Sequence, residues 1–134
     1  MSMPQIDTTP KWMLWTGRVI SALPVLMLLM GAVMSFNMPE ENKKQMAAMG
    51  WDASIAPALG VVELVIILLY VIPQTAVLGA ILMTGYLGGA VATHVRVQDW
   101  SHMPIAIVVG VLVWLGLWFR DYRIRSLTPF RKLS

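Results

Sequence analysis

The sequence predicts an all-α membrane protein: a transmembrane four-helix bundle with a short extracytoplasmic interfacial helix between the first two spans. The first observation is composition, since 57% of the residues are hydrophobic and 13% are charged. An ordinary soluble domain has about 45–50% and about 25%. The second observation is that the sequence contains four long apolar runs, each with at most one charged residue. With 134 residues, the chain 1–134 is one membrane domain.

Each apolar run is close to the roughly 20 residues that cross a bilayer as a helix. The first run contains one charge, Arg18, and the second contains one charge, Glu63, whereas the other two contain none. The first run is too long for the hydrophobic part of a cleaved signal peptide, so we interpret it as a retained span. The predicted spans are residues 12–36, 55–72, 75–95 and 103–119.

The linkers predict how these spans are connected. After the first span, Pro39 suits the first turn of a helix and Gly50 suits its end, which predicts the interfacial helix. The second and third spans are separated only by Pro73 and Gln74. Two helices joined so closely are antiparallel neighbours.

The positions of lysine and arginine predict the orientation, because cytoplasmic flanks carry the excess of these residues. Four spans place both termini on one side of the membrane. That side carries seven basic residues if Arg18 is counted and six if it is not, against three on the other side, so we expect cytoplasmic termini and a basic cytoplasmic tail, residues 120–134. A basic tail beside apolar spans fits anionic lipid headgroups, and we do not predict nucleic-acid binding.

Small residues recur in the third span. Helices in lipid associate through close packing and polar contacts, so such residues predict sites of helix contact. We expect this span to be central in the bundle, although glycine is also simply common in membrane helices. The predicted packing residues are Ala76, Ala80, Thr84, Gly85, Gly88, Gly89 and Ala92.

Glu63 is the first candidate for a ligand site. A carboxylate near the middle of a span costs about 2.5 kcal/mol or more unless it is paired, protonated or hydrated. Arg18 is its candidate partner, but this arginine can equally extend to the headgroups. Tyr70 follows Glu63 by seven residues and therefore lies on the same helix face. The alternative is that these groups only stabilise helix packing.

The third span supplies the other candidates. Tyr86 is in mid-span, Thr93 follows it on the same face, and His94 is next to it. A buried tyrosine hydroxyl needs a partner, which is either a ligand or a backbone carbonyl. His94 and His102 stand on opposite sides of a loop, which is a weak pattern, and we do not predict a metal site. The absence of cysteine excludes thiol chemistry on these residues.

Residues 59–96, LGVVELVIILLYVIPQTAVLGAILMTGYLGGAVATHVR, resemble the DoxX-like family of bacterial membrane proteins. The resemblance is carried by Gly60 and Glu63 in G-x-x-E, by Pro73, and by the segments around Tyr86 and His94. It implies a four-helix membrane bundle in the bacterial inner membrane. The family is named after a small membrane subunit of a thiosulfate:quinone oxidoreductase, and other members look like membrane parts of redox or stress-response complexes.

Three functions remain open at this point. The first is an accessory or anchor subunit of a membrane redox complex, with a quinone or lipidic ligand bound in the bundle and a redox protein as partner. The second is a purely structural or interaction protein. The third is a small transporter, which would have to form a homo-oligomer because four helices are few for a carrier. We do not predict catalysis by this chain alone, and quinone is the one cofactor considered.

Overall fold

The computed structural model describes residues 8–131, and no strand occurs within that range. The all-α prediction is therefore confirmed for this part of the chain. A single 3-10 turn, Ala53–Ile55, directly precedes the third helix. The helices are α1 (Lys11–Phe36), α2 (Glu40–Ala48), α3 (Ala56–Val71), α4 (Ala76–Arg96), α5 (Met103–Arg120) and α6 (Tyr122–Leu127).

Four helices are long and apolar enough to cross a membrane, namely α1, α3 with its preceding turn, α4 and α5. Without that turn, the limits of the four helices lie within one residue of the predicted spans. Large apolar side chains cover the outside of the bundle; Val33 is 62% exposed and Leu68 is 60% exposed. So large an exposed apolar surface is unfavourable in water but favourable in the hydrocarbon of a membrane. The chain is a multi-pass membrane protein.

The four spanning helices form a ring in which α1 and α4 each pack against α3 and α5. We call the end that holds the start of α1 and the end of α5 the terminal end. The opposite end, which holds α2 and the loop between α4 and α5, is the loop end. Both described ends of the chain thus lie on one side of the bundle, as four spans require.

A short helix, α2, is present where the interfacial helix was predicted, with Pro39 at its N-cap and Gly50 after its end. Gly50 has φ +83°, a conformation that side chains with a Cβ rarely adopt. Arg96, at the end of α4, donates to the backbone carbonyl of Met49 and so ties this segment to the loop end of the bundle.

Helices α1 and α5 make a close backbone contact at the terminal end. A Cβ on Gly116 would lie 2.9 Å from the backbone nitrogen of Ser21, and a Cβ on Gly17 would lie 2.8 Å from the carbonyl oxygen of Gly116. Backbone therefore meets backbone here, which only glycine permits. The α1–α3 contact is similar, since a Cβ on Gly60 would lie 3.2 Å from the carbonyl oxygen of Ala32.

The small residues of α4 require a correction to the prediction. Ala76 and Ala80 are buried at the helix interface. Thr84 is exposed, but its hydroxyl accepts a hydrogen bond of 2.7 Å from the indole of Trp114 on α5. The remaining four residues are exposed, because they occupy sides of α4 that no helix within residues 8–131 covers: Gly85, Gly88, Gly89 and Ala92. A Cβ on any of these three glycines would meet nothing within 4 Å.

Helix α6 was not predicted, because the sequence analysis assigned residues 120–134 to a basic tail. Asp121 caps it by accepting a hydrogen bond of 2.9 Å from the backbone N–H of Arg123. The side chain of Arg125 folds back and donates to the carbonyl oxygens of Trp118 and Phe119 at 2.8 and 2.9 Å. These carbonyl groups lie in the last turn of α5, where a helix supplies no partner for them. Lys132 of the predicted tail lies outside the described residues.

Candidate functional site

A buried hydrogen bond joins Glu63 of α3 to Tyr86 of α4. The Tyr86 hydroxyl donates to Oε1 of Glu63 at 2.5 Å. Glu63 is 7% exposed, and its second oxygen, Oε2, is buried without a hydrogen-bond partner in the part of the chain that the structure describes. Buried polar atoms are nearly always paired, so an unpaired carboxyl oxygen marks a place for a further hydrogen-bonding group.

Gly31 of α1 leaves the space for this carboxyl group. A Cβ on Gly31 would lie 3.3 Å from both oxygens of Glu63. Arg18 precedes Gly31 by thirteen residues, which is about 20 Å along a helix. The possible pairing of Arg18 with Glu63 is therefore not formed. Arg18 is exposed at the terminal end, where its guanidinium carbon lies 5.1 Å from the centre of the Trp15 ring.

Glu63 and Tyr86 line a cavity of about 250 Å³ between the spanning helices, which we call the acidic cavity. Its wall is otherwise mostly apolar. At the loop end it reaches two histidines, so it extends from mid-span towards the membrane surface. The lining residues are Met27, Leu28, Glu63, Tyr86, Leu87, His94, His102, Ile105, Ala106 and Val109.

The two histidines are joined by Asp99 of the α4–α5 loop. Nδ1 of His94 lies 3.1 Å from Oδ2 of Asp99, and Nδ1 of His102 lies 2.8 Å from the same oxygen. The two imidazole rings are stacked with their centres 5.8 Å apart. Asp99 thus connects the last turn of α4 to the start of α5 and orients both rings at the mouth of the acidic cavity.

Two opposing effects act on the pKa of Asp99. Desolvation raises it, but hydrogen bonds from the His102 ring, the His102 backbone and the His94 ring together lower it below its usual range. The carboxylate is therefore ionised at neutral pH. Within residues 8–131, no three histidine, cysteine or acidic side chains are arranged to hold a metal ion.

Tyr70 does not belong to the acidic cavity. It is fully buried, its hydroxyl donates to the carbonyl oxygen of Val113 at 2.7 Å, and it lies 3.1 Å from the hydroxyl of Ser21. Tyr70 therefore links α3 to α5 and α1 at the point where α1 and α5 cross. Its distance from Glu63 is about 10 Å along the helix axis, because seven residues separate them.

The predicted site residues thus divide into three groups. Glu63, Tyr86 and His94 line the acidic cavity. Arg18 and Tyr70 line a different cavity, at the terminal end. Thr93 lines neither cavity. Its hydroxyl donates within α4 to the carbonyl oxygen of Gly89 at 2.9 Å.

Sequence reasoning missed Gly31 and Asp99 and gave little weight to His102. For the loop residues a signal exists, since the spacing His-x₄-Asp-x₂-His places an acid within reach of two histidines across a tight loop. Gly31 has no such signal, because its role depends on which residue of α3 faces it.

The sequence profile of the DoxX-like family matches residues 19–116. This range includes every residue that lines the acidic cavity, but neither Arg18 nor α6. Neither a curated protein nor a solved structure matches the chain significantly. The profile covers more than two thirds of the chain, from α1 into the last turns of α5. The chain belongs to the DoxX-like family.

Proposed function

We propose that this protein is an accessory subunit of a membrane redox complex and that it binds the ring of a quinone in the acidic cavity. The observation that carries the proposal is Oε2 of Glu63, a buried carboxyl oxygen without a partner in the described chain, on a side chain that lines a cavity. The DoxX-like family is named after a subunit of a quinone oxidoreductase, and this supports a role in a redox complex.

The chemistry of the pair suits both forms of a quinone. A protonated carboxyl group donates a hydrogen bond to a quinone carbonyl, and an ionised carboxylate accepts one from a quinol hydroxyl. Tyr86 holds Oε1 at 2.5 Å, which leaves Oε2 for the ligand. The apolar wall beside it, which includes Leu28 and Val109, suits the faces of a ring.

The size of the cavity also suits a ring without its tail. Ligand pockets for larger molecules have about 300–1,000 Å³, whereas the acidic cavity has about 250 Å³. Met27 is 41% exposed and Ile105 is 47% exposed on the outside of the bundle, and both also line the cavity. The cavity therefore borders the hydrocarbon, where an isoprenoid tail would lie. In this proposal the chain binds and orients the quinone, and a partner subunit supplies the electrons.

Binding of a short-tailed ubiquinone analogue to the purified protein in detergent tests the proposal. Tyr86→Phe removes the hydrogen bond that holds Oε1 of Glu63, and Glu63→Gln replaces one carboxyl oxygen by an amide nitrogen. A hydrogen bond contributes about 0.5–1.5 kcal/mol, so we expect each substitution to weaken binding by roughly 2–13-fold. Tyr122→Phe and Glu41→Gln are matched controls outside the cavity, and we expect wild-type affinity for both.

The rival function is purely structural, and it is favoured by the same hydrogen bond, because Tyr86–Glu63 links α4 to α3. In that case Glu63→Gln lowers the thermal stability of the protein while saturable quinone binding is either absent or equal in all variants. That result would refute quinone binding in the acidic cavity. Loss of binding without a matching loss of stability would refute the structural alternative.

A further inference from the structure

A second cavity, of about 720 Å³, lies at the terminal end between α1, the α3–α4 hairpin, α5 and the start of α6. We call it the basic cavity, because Arg18, Arg120 and Arg123 line it. Asp121 is the one carboxylate among its lining residues. Three arginines and one aspartate give the lining a formal charge of +2. Such a charge beside a membrane attracts an anion.

Arg120 is held in place by its neighbours. Its Nη2 donates to the carbonyl oxygen of Tyr70 at 3.1 Å, and its guanidinium carbon lies 4.6 Å from the centre of the Tyr70 ring. Tyr70 is fully buried, so the guanidinium rests on a rigid surface. The Nε–H of Arg120 is buried and has no acceptor among the described residues. A buried cationic donor without an acceptor is costly, and an anionic oxygen would satisfy it.

Asp121 has a structural role at the start of α6. Its Oδ1 accepts a hydrogen bond of 2.9 Å from the backbone N–H of Arg123 and caps α6. The position of Asp121 is therefore explained by the start of α6. Arg18 and Arg120 form no ion pair with Asp121 or with another acidic group within residues 8–131.

The remainder of the lining is apolar, with Leu14, Ala22, Val25 and Val71 among its residues. The cavity lies near the start of α1, where Trp12 is 64% exposed and Trp15 is 63% exposed. Exposed tryptophans at the end of a span mark the level of the lipid headgroups. A charged portion at headgroup level and an apolar portion deeper in the membrane match the two parts of a phospholipid.

We propose that the basic cavity binds an anionic phospholipid, with the phosphate group at Arg18 and Arg120 and an acyl chain along the apolar lining. The phosphate oxygens would accept from Nε of Arg120 and from the Arg18 guanidinium. Arginine suits this role because its planar fork of donors matches phosphate oxygens. The proposal does not depend on quinone binding, since the basic and acidic cavities share no residue.

The test is retention of phosphatidylglycerol by the purified protein in nanodiscs of phosphatidylcholine, measured by lipid mass spectrometry over a series of phosphatidylglycerol contents. We expect saturable enrichment around the wild-type protein. Each basic residue near the surface contributes roughly a fivefold gain in affinity for anionic lipid. Arg18→Gln should therefore weaken retention about fivefold, and Arg18→Gln with Arg120→Gln about 25-fold.

Arg131→Gln is the matched control, because it removes one positive charge from the terminal end of the bundle without altering the lining of the basic cavity. Arg120 also packs on Tyr70, so its variant is compared with wild type by thermal unfolding. Arg18 is exposed, and its single variant keeps the test valid if Arg120→Gln fails to fold.

Equal retention by wild type and Arg18→Gln would overturn the proposal, because Arg18 would then take no part in binding. An equal loss in Arg18→Gln and Arg131→Gln would also overturn it, because the attraction would then be a general effect of charge. Inorganic phosphate is the second probe. If phosphate in solution binds with loss in Arg18→Gln while phosphatidylglycerol shows no saturable retention, the ligand is a free anion and the lipid assignment is wrong.

Discussion

The contact between α1 and α5 gives the most direct test of the fold. We consider Gly116→Ala. The new Cβ would lie 2.9 Å from the backbone nitrogen and 3.1 Å from the Cα of Ser21, with the Ser21 hydroxyl closer still. The side chain of Ser21 can rotate, but its backbone can move only if α1 shifts relative to α5. The substitution therefore separates the two helices where Tyr70 also joins them.

The magnitude follows from a comparison with a second glycine. Overpacking a well-packed site costs about 1–3 kcal/mol. Replacing glycine by alanine inside a helix also stabilises the helix by about 0.5–1 kcal/mol. Gly89→Ala has only the second effect, because its Cβ would meet nothing within 4 Å. We thus expect Gly116→Ala to be about 1–3 kcal/mol less stable than Gly89→Ala, since the helix effect cancels in the difference.

The assay is unfolding of both variants in mixed micelles with increasing sodium dodecyl sulfate, followed by far-ultraviolet circular dichroism. The two variants have the same composition, so detergent binding and helix propensity are matched. Equal midpoints for Gly116→Ala and Gly89→Ala would refute the helix arrangement described above. A less stable Gly89→Ala would instead show that the outer face of α4 is covered, as in a homo-oligomer.

Two further predictions concern single hydrogen-bonding groups. Tyr70→Phe removes the donor to Val113 and should lower the free energy of unfolding by about 0.5–1.5 kcal/mol; Tyr122→Phe is the control, and equal stability of both variants would contradict the buried bond. Asp99→Asn should destabilise the loop end at neutral pH. Because hydrogen bonds lower the pKa of Asp99 in the folded protein from its ordinary value of 3.8, its contribution is present above that value and is lost as the pH falls through the lowered pKa. Thermal unfolding of wild type and Asp99→Asn at a series of pH values from 7 to 3 would measure this contribution. A difference in melting temperature that stays constant over this range would contradict the prediction.

Helix positions could be predicted because each depends on local sequence. An apolar run that ends at charge or proline has no alternative to a spanning helix in lipid, so Pro73 and Gln74 had to separate α3 from α4. The short helix α2 depends on Pro39 and Gly50, which act within a few residues. Helix α6 was missed because its stability comes from contacts outside itself, such as Arg125 with the carbonyl oxygens at the end of α5.

Contacts between helices could be predicted only in part, because they depend on rotation and axial register. Glu63 and Tyr86 were both identified as candidates, but their direct hydrogen bond requires α3 and α4 to face each other at that level. Arg18 was considered as a partner for Glu63, although the observed register separates them by about 20 Å. The glycines of α4 formed the more regular pattern, yet the isolated Gly17 and Gly116 make the close contact between α1 and α5.

These glycines also account for the position of the acidic cavity. At the terminal end, α1 and α5 meet backbone to backbone at Gly17 and Gly116. Val109 lies seven residues before Gly116, about 10 Å further towards the loop end, and there residues of both α1 and α5 line the cavity. Helices that cross at an angle must separate on either side of their closest point. The close contact at one end of the bundle therefore leaves the space that Glu63 borders at the other, and a residue that widens the crossing at Gly116 should change the shape of the acidic cavity as well as the stability of the fold.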